Sequence, residues 1–272
     1  MQVPYYQDFD KIEKLEDNKH LLVCIGDSWT WGDSLSPLLE STQHMHEDVL
    51  FESKHCYNDR KQYCFGNHLS TLLGADWLNY GIPGESNFYI LERLKTIVNN
   101  KHIQESYEKI YYVVVLTETG RELNNIDPTY FENCSTLDDM LEISETYIIE
   151  QLNNLNLPNL YITRNFTQSF SKLKYKSWVE INYENETIDI DINDINVTGF
   201  MTNHALKNKE QLFKKYLKKW KREVLTQYDK VESLRKFLSN SKYHRQKSSK
   251  HPTKESHKLW AEYLYSIIKE DK

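Results

Sequence analysis

Residues 21–33 read LLVCIGDSWTWGD: five apolar residues run into a glycine, then an aspartate, a serine and two tryptophans. A short apolar run that stops at a glycine is the pattern of a strand buried on both faces of a parallel sheet. Similar runs recur at Asp76–Tyr80 (DWLNY), Ile110–Leu116 (IYYVVVL) and Leu160–Thr163 (LYIT). Between them lie stretches with helical spacing: Phe65–Leu73, Asn87–Val98 and Leu137–Leu152. In the last of these, Leu137, Met140, Leu141, Ser144, Ile148 and Leu152 fall near one face. Strands alternating with helices predict right-handed βαβ crossovers, hence an α/β fold: a three-layer α/β/α doubly wound parallel sheet.

The rhythm changes further along the chain. WVEINY and the string TIDIDINDI, within residues 172–203, read as a small edge hairpin or an irregular excursion. The aspartates there lack the glycine and terminal glutamate of a calcium loop. From Leu212 to Leu238 the apolar residues keep a three-four spacing that predicts one bent or two separate helices. Pro252–Lys269 reads as a final helix with Pro252 in its first turn. With 272 residues and no repeat or linker, the chain reads as one domain over 1–272, with insertions at about 31–65 and 172–203.

Composition excludes several classes. At 39% hydrophobic and 27% charged, with no apolar run of membrane-spanning length, the chain is expected to be soluble and to have no membrane partner. The first twenty residues lack a basic segment followed by an apolar one, so a cytoplasmic protein of bacterial or phage type is expected, with its four cysteines as free thiols. Charge is uneven. Residues 206–258 carry 17 Lys and Arg against 5 Asp and Glu, a net +12, while the remainder holds 17 against 35, a net −18. The ordinary meaning of such lysines is the solvated side of amphipathic helices. An anionic glycan or nucleic acid is the alternative partner of this basic face.

Ser28 follows the first strand closely, at the carboxyl edge where ligands bind in doubly wound sheets. A serine there is a turn or cap residue unless a base takes its proton. The stretch SSKHPTKESHKLWAEYL supplies two histidines, His251 in a loop before the last helix and His257 within it. GDSWT at 26–30 and HPTKESHKLWA at 251–261 resemble the first and last motif blocks of the SGNH, or GDSL-like, hydrolases. That resemblance implies a flavodoxin-like SGNH hydrolase fold, with Ser28 as nucleophile and His251 as base. LSTLLGADWLNYGIPGESN is similar to the family's helix, strand and glycine turn, which implies an oxyanion hole from the backbone amides of Ser28 and Gly84.

Two positions depart from the family pattern. Where the family has GxND, this chain reads TETGRE from Thr117 to Glu122. One register puts the Thr119 hydroxyl in the oxyanion hole and the other puts Glu118 there. Three residues before His251, where the family has aspartate, stands Ser248. Asp27, Ser248, Glu118, Glu122 and His257 are therefore the expected supporting residues, with Asp33 a further candidate carboxylate. Trp29, Trp31 and Asn87 are expected to contact substrate. His44, His46, His55, Cys56 and Cys64 lack zinc-ligand spacing, so no metal or cofactor is expected and residues 31–65 read as a loop over the site. The function expected is hydrolysis of a small acyl ester, such as an O-acetyl group on a carbohydrate. An acyltransferase, or a binding protein that has lost catalysis, remains open.

Overall fold

The computed structural model describes residues 12–13, 18–32, 35, 60–119, 121, 125–166, 173–186, 241–243 and 251–271. The helical stretch at 212–238, the TIDIDINDI string and most of the 31–65 insertion lie outside these residues. So do Asp33, His44, His46, His55, Cys56, Glu122 and Ser248.

Four strands form one parallel sheet: β1 (His20–Gly26), β2 (Asp76–Gly81), β3 (Lys109–Leu116) and β4 (Leu160–Arg164), in the order β2-β1-β3-β4. β1 pairs Leu22 with Trp77 on one side and with Tyr111 on the other. Chain connections leave β1 and β3 toward opposite edges, so the switch point, where ligands bind in doubly wound sheets, lies between the carboxyl ends of these two strands. The fold is the expected α/β doubly wound sheet.

Alternation along each strand feeds two cores. Leu22 and Cys24 of β1, with Tyr111, Val113 and Val115 of β3, face a layer made of α2 (Phe65–Leu73), α6 (Trp178–Glu184) and α7 (Lys254–Glu270). Leu21, Val23 and Ile25, with Tyr112, Val114 and Leu116, face α3 (Asn87–Val98), α4 (Lys101–Ser106) and α5 (Leu137–Asn153). Both faces are covered by helices, which is why β1 and β3 are apolar through their centres rather than alternating with polar residues. On the first face Trp178 stacks on Trp260 with ring centroids 5.2 Å apart. The Trp178 indole donates to Ser256 Oγ at 2.9 Å, and Ser256 donates to Asn182 Oδ1 at 2.9 Å, so these polar atoms are paired within the core.

Two expectations need correction. WVEINY is helix α6, not an edge strand: Ser177 and Glu180 form a capping box, and Trp178, Val179, Ile181 and Asn182 make its buried face. Pro252 is not in the first turn of α7. Thr253 is the N-cap there, its side chain accepting from the Ser256 amide, and Pro252 precedes it. Cys24, Cys64 and Cys134 are free thiols, as expected. No helix among the described residues is long and apolar enough to cross a membrane.

Candidate active site

Ser28 occupies the first position of α1 (Ser28–Trp31), a single turn that opens directly after β1. Asp27 is its N-cap, with Oδ1 accepting from the Trp29 amide at 3.0 Å. Gly32 closes the turn at φ 83°, donating back to Ser28 O and Trp29 O. This tight geometry demands glycines around it. A Cβ on Gly26 would meet Thr30 Oγ1 at 2.1 Å, and one on Gly81 would meet the Trp31 amide nitrogen at 2.2 Å. The two glycines therefore let the ends of β1 and β2 close against α1.

His251 lies 223 residues further along the chain, and its Nε2 is 2.8 Å from Ser28 Oγ. A relay of loop contacts holds it there. Thr253 donates its backbone N–H to Tyr243 O at 2.8 Å. The Glu186 carboxylate accepts from Ser241 Oγ at 2.5 Å and from the Tyr243 amide at 3.2 Å. α7 then anchors the segment into the core.

Beneath the serine lies a buried polar cluster that joins three strand ends. Asp27, Thr117 and Asn165 each directly follow a strand, β1, β3 and β4 respectively. Asp27 Oδ1 accepts from Asn165 Nδ2 at 2.9 Å, and its Oδ2 accepts from Thr117 Oγ1 at 2.7 Å. Asp27 is 1% exposed, so these donors replace its hydration. Asn87 adds a clamp: its Oδ1 accepts from the Thr117 amide at 2.8 Å while its Nδ2 donates to Thr117 O at 3.4 Å. Asn87 thus ties α3 to the end of β3 through its own amide.

The Thr117–Arg121 segment holds both residues that the two registers name, Glu118 and Thr119. Thr119 Oγ1 donates to Glu145 Oε2 at 2.9 Å, and Glu145 also pairs with Arg164 at 3.1 Å. A hydroxyl has one proton, so that of Thr119 is not turned toward an oxyanion. Glu118 is buried, its Oε2 has no hydrogen-bond partner, and that oxygen stands 3.7 Å from Arg121 Nε. Burial pushes its carboxyl up to about 6 despite the Arg121 guanidinium, and the nearby Asp27 adds to the rise.

Arg121 reaches two further groups. Its NH1 is 3.7 Å from Asp27 Oδ2 and donates to Glu85 O at 3.3 Å. Glu85 lies in the turn after β2, next to Gly84, which has φ 79° and is exposed to solvent.

Three residues named from the sequence lie elsewhere. Trp29 and Trp31 are packed in the core. Trp29 is 5% exposed and packs on Phe166 and Trp178, and Trp31 is 3% exposed beneath the Arg60 guanidinium, 3.4 Å from its ring centroid. All four residues of this one-turn helix are buried at the sheet end. His257 is also a core residue: fully buried, edge-on to Trp178, with its Nδ1 accepting from the Phe65 amide at 3.1 Å. It caps the amino end of α2, whose own N-cap residue, Cys64, makes no side-chain cap bond. Sequence motifs did not single out Thr117, Arg121, Glu145, Arg164 and Asn165. A usable signal existed for Thr117 and Asn165, because each lies just beyond a predicted strand.

No protein-family model and no curated protein matches the chain. Among solved structures it is similar to a protein assigned to the lipolytic G-D-S-L family from Desulfitobacterium hafniense DCB-2, at 12% identity and TM-score 0.36, over 92% of this chain and 99% of that one. It is similar to a carbohydrate esterase whose active site displays divergent catalytic and non-catalytic binding functions, at 12% identity and TM-score 0.39, over 95% of this chain and 67% of the other. A catalytic mutant of an acetylxylan esterase from Geobacillus stearothermophilus gives 14% identity and TM-score 0.36, over 92% and 94% of the respective chains.

Proposed function

We propose that the protein is a serine hydrolase of small acyl esters, with Ser28 as nucleophile and His251 as base. The observation that carries this reading is the 2.8 Å approach of His251 Nε2 to Ser28 Oγ at the switch-point edge of the sheet. A hydroxyl so placed can pass its proton to Nε2 as Oγ bonds to the acyl carbon, and the carbonyl electron pair moves onto oxygen. The amides of Ser28 and Gly84 are the proposed donors to that oxyanion. Collapse expels the alkoxide, which takes the proton from the imidazolium. Water, deprotonated by His251, then attacks the Ser28 ester; the bond from the acyl carbon to Oγ breaks, Oγ takes the proton back from His251, and the acid leaves.

The alcohol half is open to assay, because the buried Trp29 and Trp31 offer no sugar-stacking surface. An aryl acetate and an O-acetylated carbohydrate are the first substrates to compare. A second reading, a binding protein without turnover, is favoured by the Thr119 hydroxyl, which is engaged by Glu145.

A fluorophosphonate probe and p-nitrophenyl acetate decide between them. The wild type is expected to label and turn over, and Ser28→Ala and His251→Ala to do neither above background. A folded wild type that behaves like Ser28→Ala would overturn the hydrolase reading in favour of the binding protein.

A further inference from the structure

Arg121 reaches both segments whose amides are proposed to bind the oxyanion. Its NH1 holds the Glu85 carbonyl at 3.3 Å, one residue from Gly84, and faces Asp27, the cap of the Ser28 turn, at 3.7 Å. Its Nε faces Glu118 at 3.7 Å, and neither that nitrogen nor Glu118 Oε2 has a hydrogen-bond partner. The Arg121 side chain is 14% exposed. A cation placed this deep, with donors left over, is not a surface ion pair of the kind that contributes little. Among the described residues it is the one charge that spans the nucleophile turn, the end of β3 and the glycine turn.

We propose that Arg121 is a positioning residue for the hydrolysis, a strut that sets the separation between the Ser28 turn and the Gly84 turn and so the geometry of the oxyanion hole. This rests on the hydrolase reading above. The strut acts through backbone placement rather than by touching substrate, so its loss should lower kcat and leave KM almost unchanged. Misplacing catalytic groups by about an ångström costs about a hundredfold in rate, and that is the expected fall for Arg121→Gln. Lysine keeps the cation and one reachable donor but loses the planar fork, so Arg121→Lys should lie between, about tenfold below wild type. The charge also bears on Glu118, whose carboxyl sits at about 6 with Arg121 lowering it and Asp27 and burial raising it. Removing the cation should raise that value, and lysine should restore most of the difference.

The test uses the full chain and three readouts: kcat and KM on p-nitrophenyl acetate, amide NMR shifts of Ser28 and Gly84, and a carboxyl NMR titration of Glu118. The expected result is a graded kcat loss with KM within about twofold, both amides displaced in Arg121→Gln, and the Glu118 midpoint moved upward and recovered in Arg121→Lys. A folded Arg121→Lys with wild-type kcat and an unmoved Gly84 amide would overturn the strut, and this holds even if Arg121→Gln does not fold. A wild type without turnover counts against the hydrolase reading instead. The amide shifts and the Glu118 titration then decide the strut by themselves: displaced shifts with a raised midpoint uphold it, and unchanged ones remove it.

Discussion

Replacing Asp27 by alanine removes the acceptor that three buried donors share. The Trp29 amide, Asn165 Nδ2 and Thr117 Oγ1 all lie within 3.0 Å of its carboxylate. The Thr117 hydroxyl can rotate toward another acceptor, but the other two donors are fixed by α1 and by the end of β4. A buried donor left unpaired costs about 1–3 kcal/mol, and a lost N-cap lies within that range. Relief from burying a charge offsets part of the sum. We expect Asp27→Ala to lose about 3 kcal/mol of unfolding free energy. Asp27→Asn separates the hydrogen bonds from the charge. Its carbonyl can keep the Trp29 and Asn165 donors while its amide donates to a rotated Thr117 hydroxyl, so the loss should be about 1 kcal/mol. Urea denaturation of the three proteins, with the m-value checked for constancy, measures both differences. If Asp27→Ala proves as stable as Asp27→Asn, the carboxylate is not the organising acceptor of the strand ends, and the Ser28 turn is held by something other than its cap.

Thr119→Val should leave kcat within about threefold of wild type, since its hydroxyl serves Glu145; a hundredfold loss would return Thr119 to the oxyanion hole. Glu118 is protonated more readily in the folded chain, at about 6 against an ordinary 4.5, so the native state binds the extra proton and stability falls as pH rises through that window. The fall amounts to about 2 kcal/mol and should disappear in Glu118→Gln, as read from urea midpoints below and above the window. Ser256→Ala leaves the Trp178 indole N–H and Asn182 Oδ1 without their shared partner in a sealed core, and should cost about 2 kcal/mol by the same denaturation assay.

The sheet was legible because both of its faces are buried. The central strands β1 and β3 are then nearly continuous apolar runs, and all four predicted runs fall inside observed strands. Helices α2 and α3 were read at their observed ends, since an apolar stripe and a following glycine or asparagine mark them. α6 was misread because a seven-residue helix shows barely two turns of periodicity, though its Ser177–Glu180 capping box stood in the sequence. Ser28 and His251 were legible through their motif blocks, and the structure brings them within hydrogen-bond distance. Of the surrounding residues Asp27 and Glu118 were named from the sequence, but their partners Thr117, Arg121 and Asn165 were not. Asp27, Thr117 and Asn165 meet only because three strands end at one level, a relation set by sheet register rather than by local spacing. His257 was misassigned for a related reason: its partner is the backbone of a helix 192 residues away.

Three buried carboxylates at the carboxyl edge of the sheet are not equally well matched. Glu145 has Arg164 and Thr119, and Asp27 has three donors. Of the three, Glu118 alone keeps an oxygen without a hydrogen bond, beside an arginine it shares with Asp27. A conflict of this kind is expected where chemistry is done. Below about 6 a neutral Glu118 leaves Arg121 to Asp27 and to the Glu85 carbonyl; above it, two carboxylates compete for one cation next to the proposed oxyanion site. A histidine base must be neutral to accept the serine proton, and that demand favours the higher pH. The two requirements oppose each other. The hydrolysis rate should therefore rise less steeply on the alkaline side than a lone serine–histidine pair would give, and Glu118→Gln should restore the steeper rise. A pH–rate profile of Glu118→Gln that superimposes on the wild type would separate Glu118 from the reaction and leave it a purely structural buried acid.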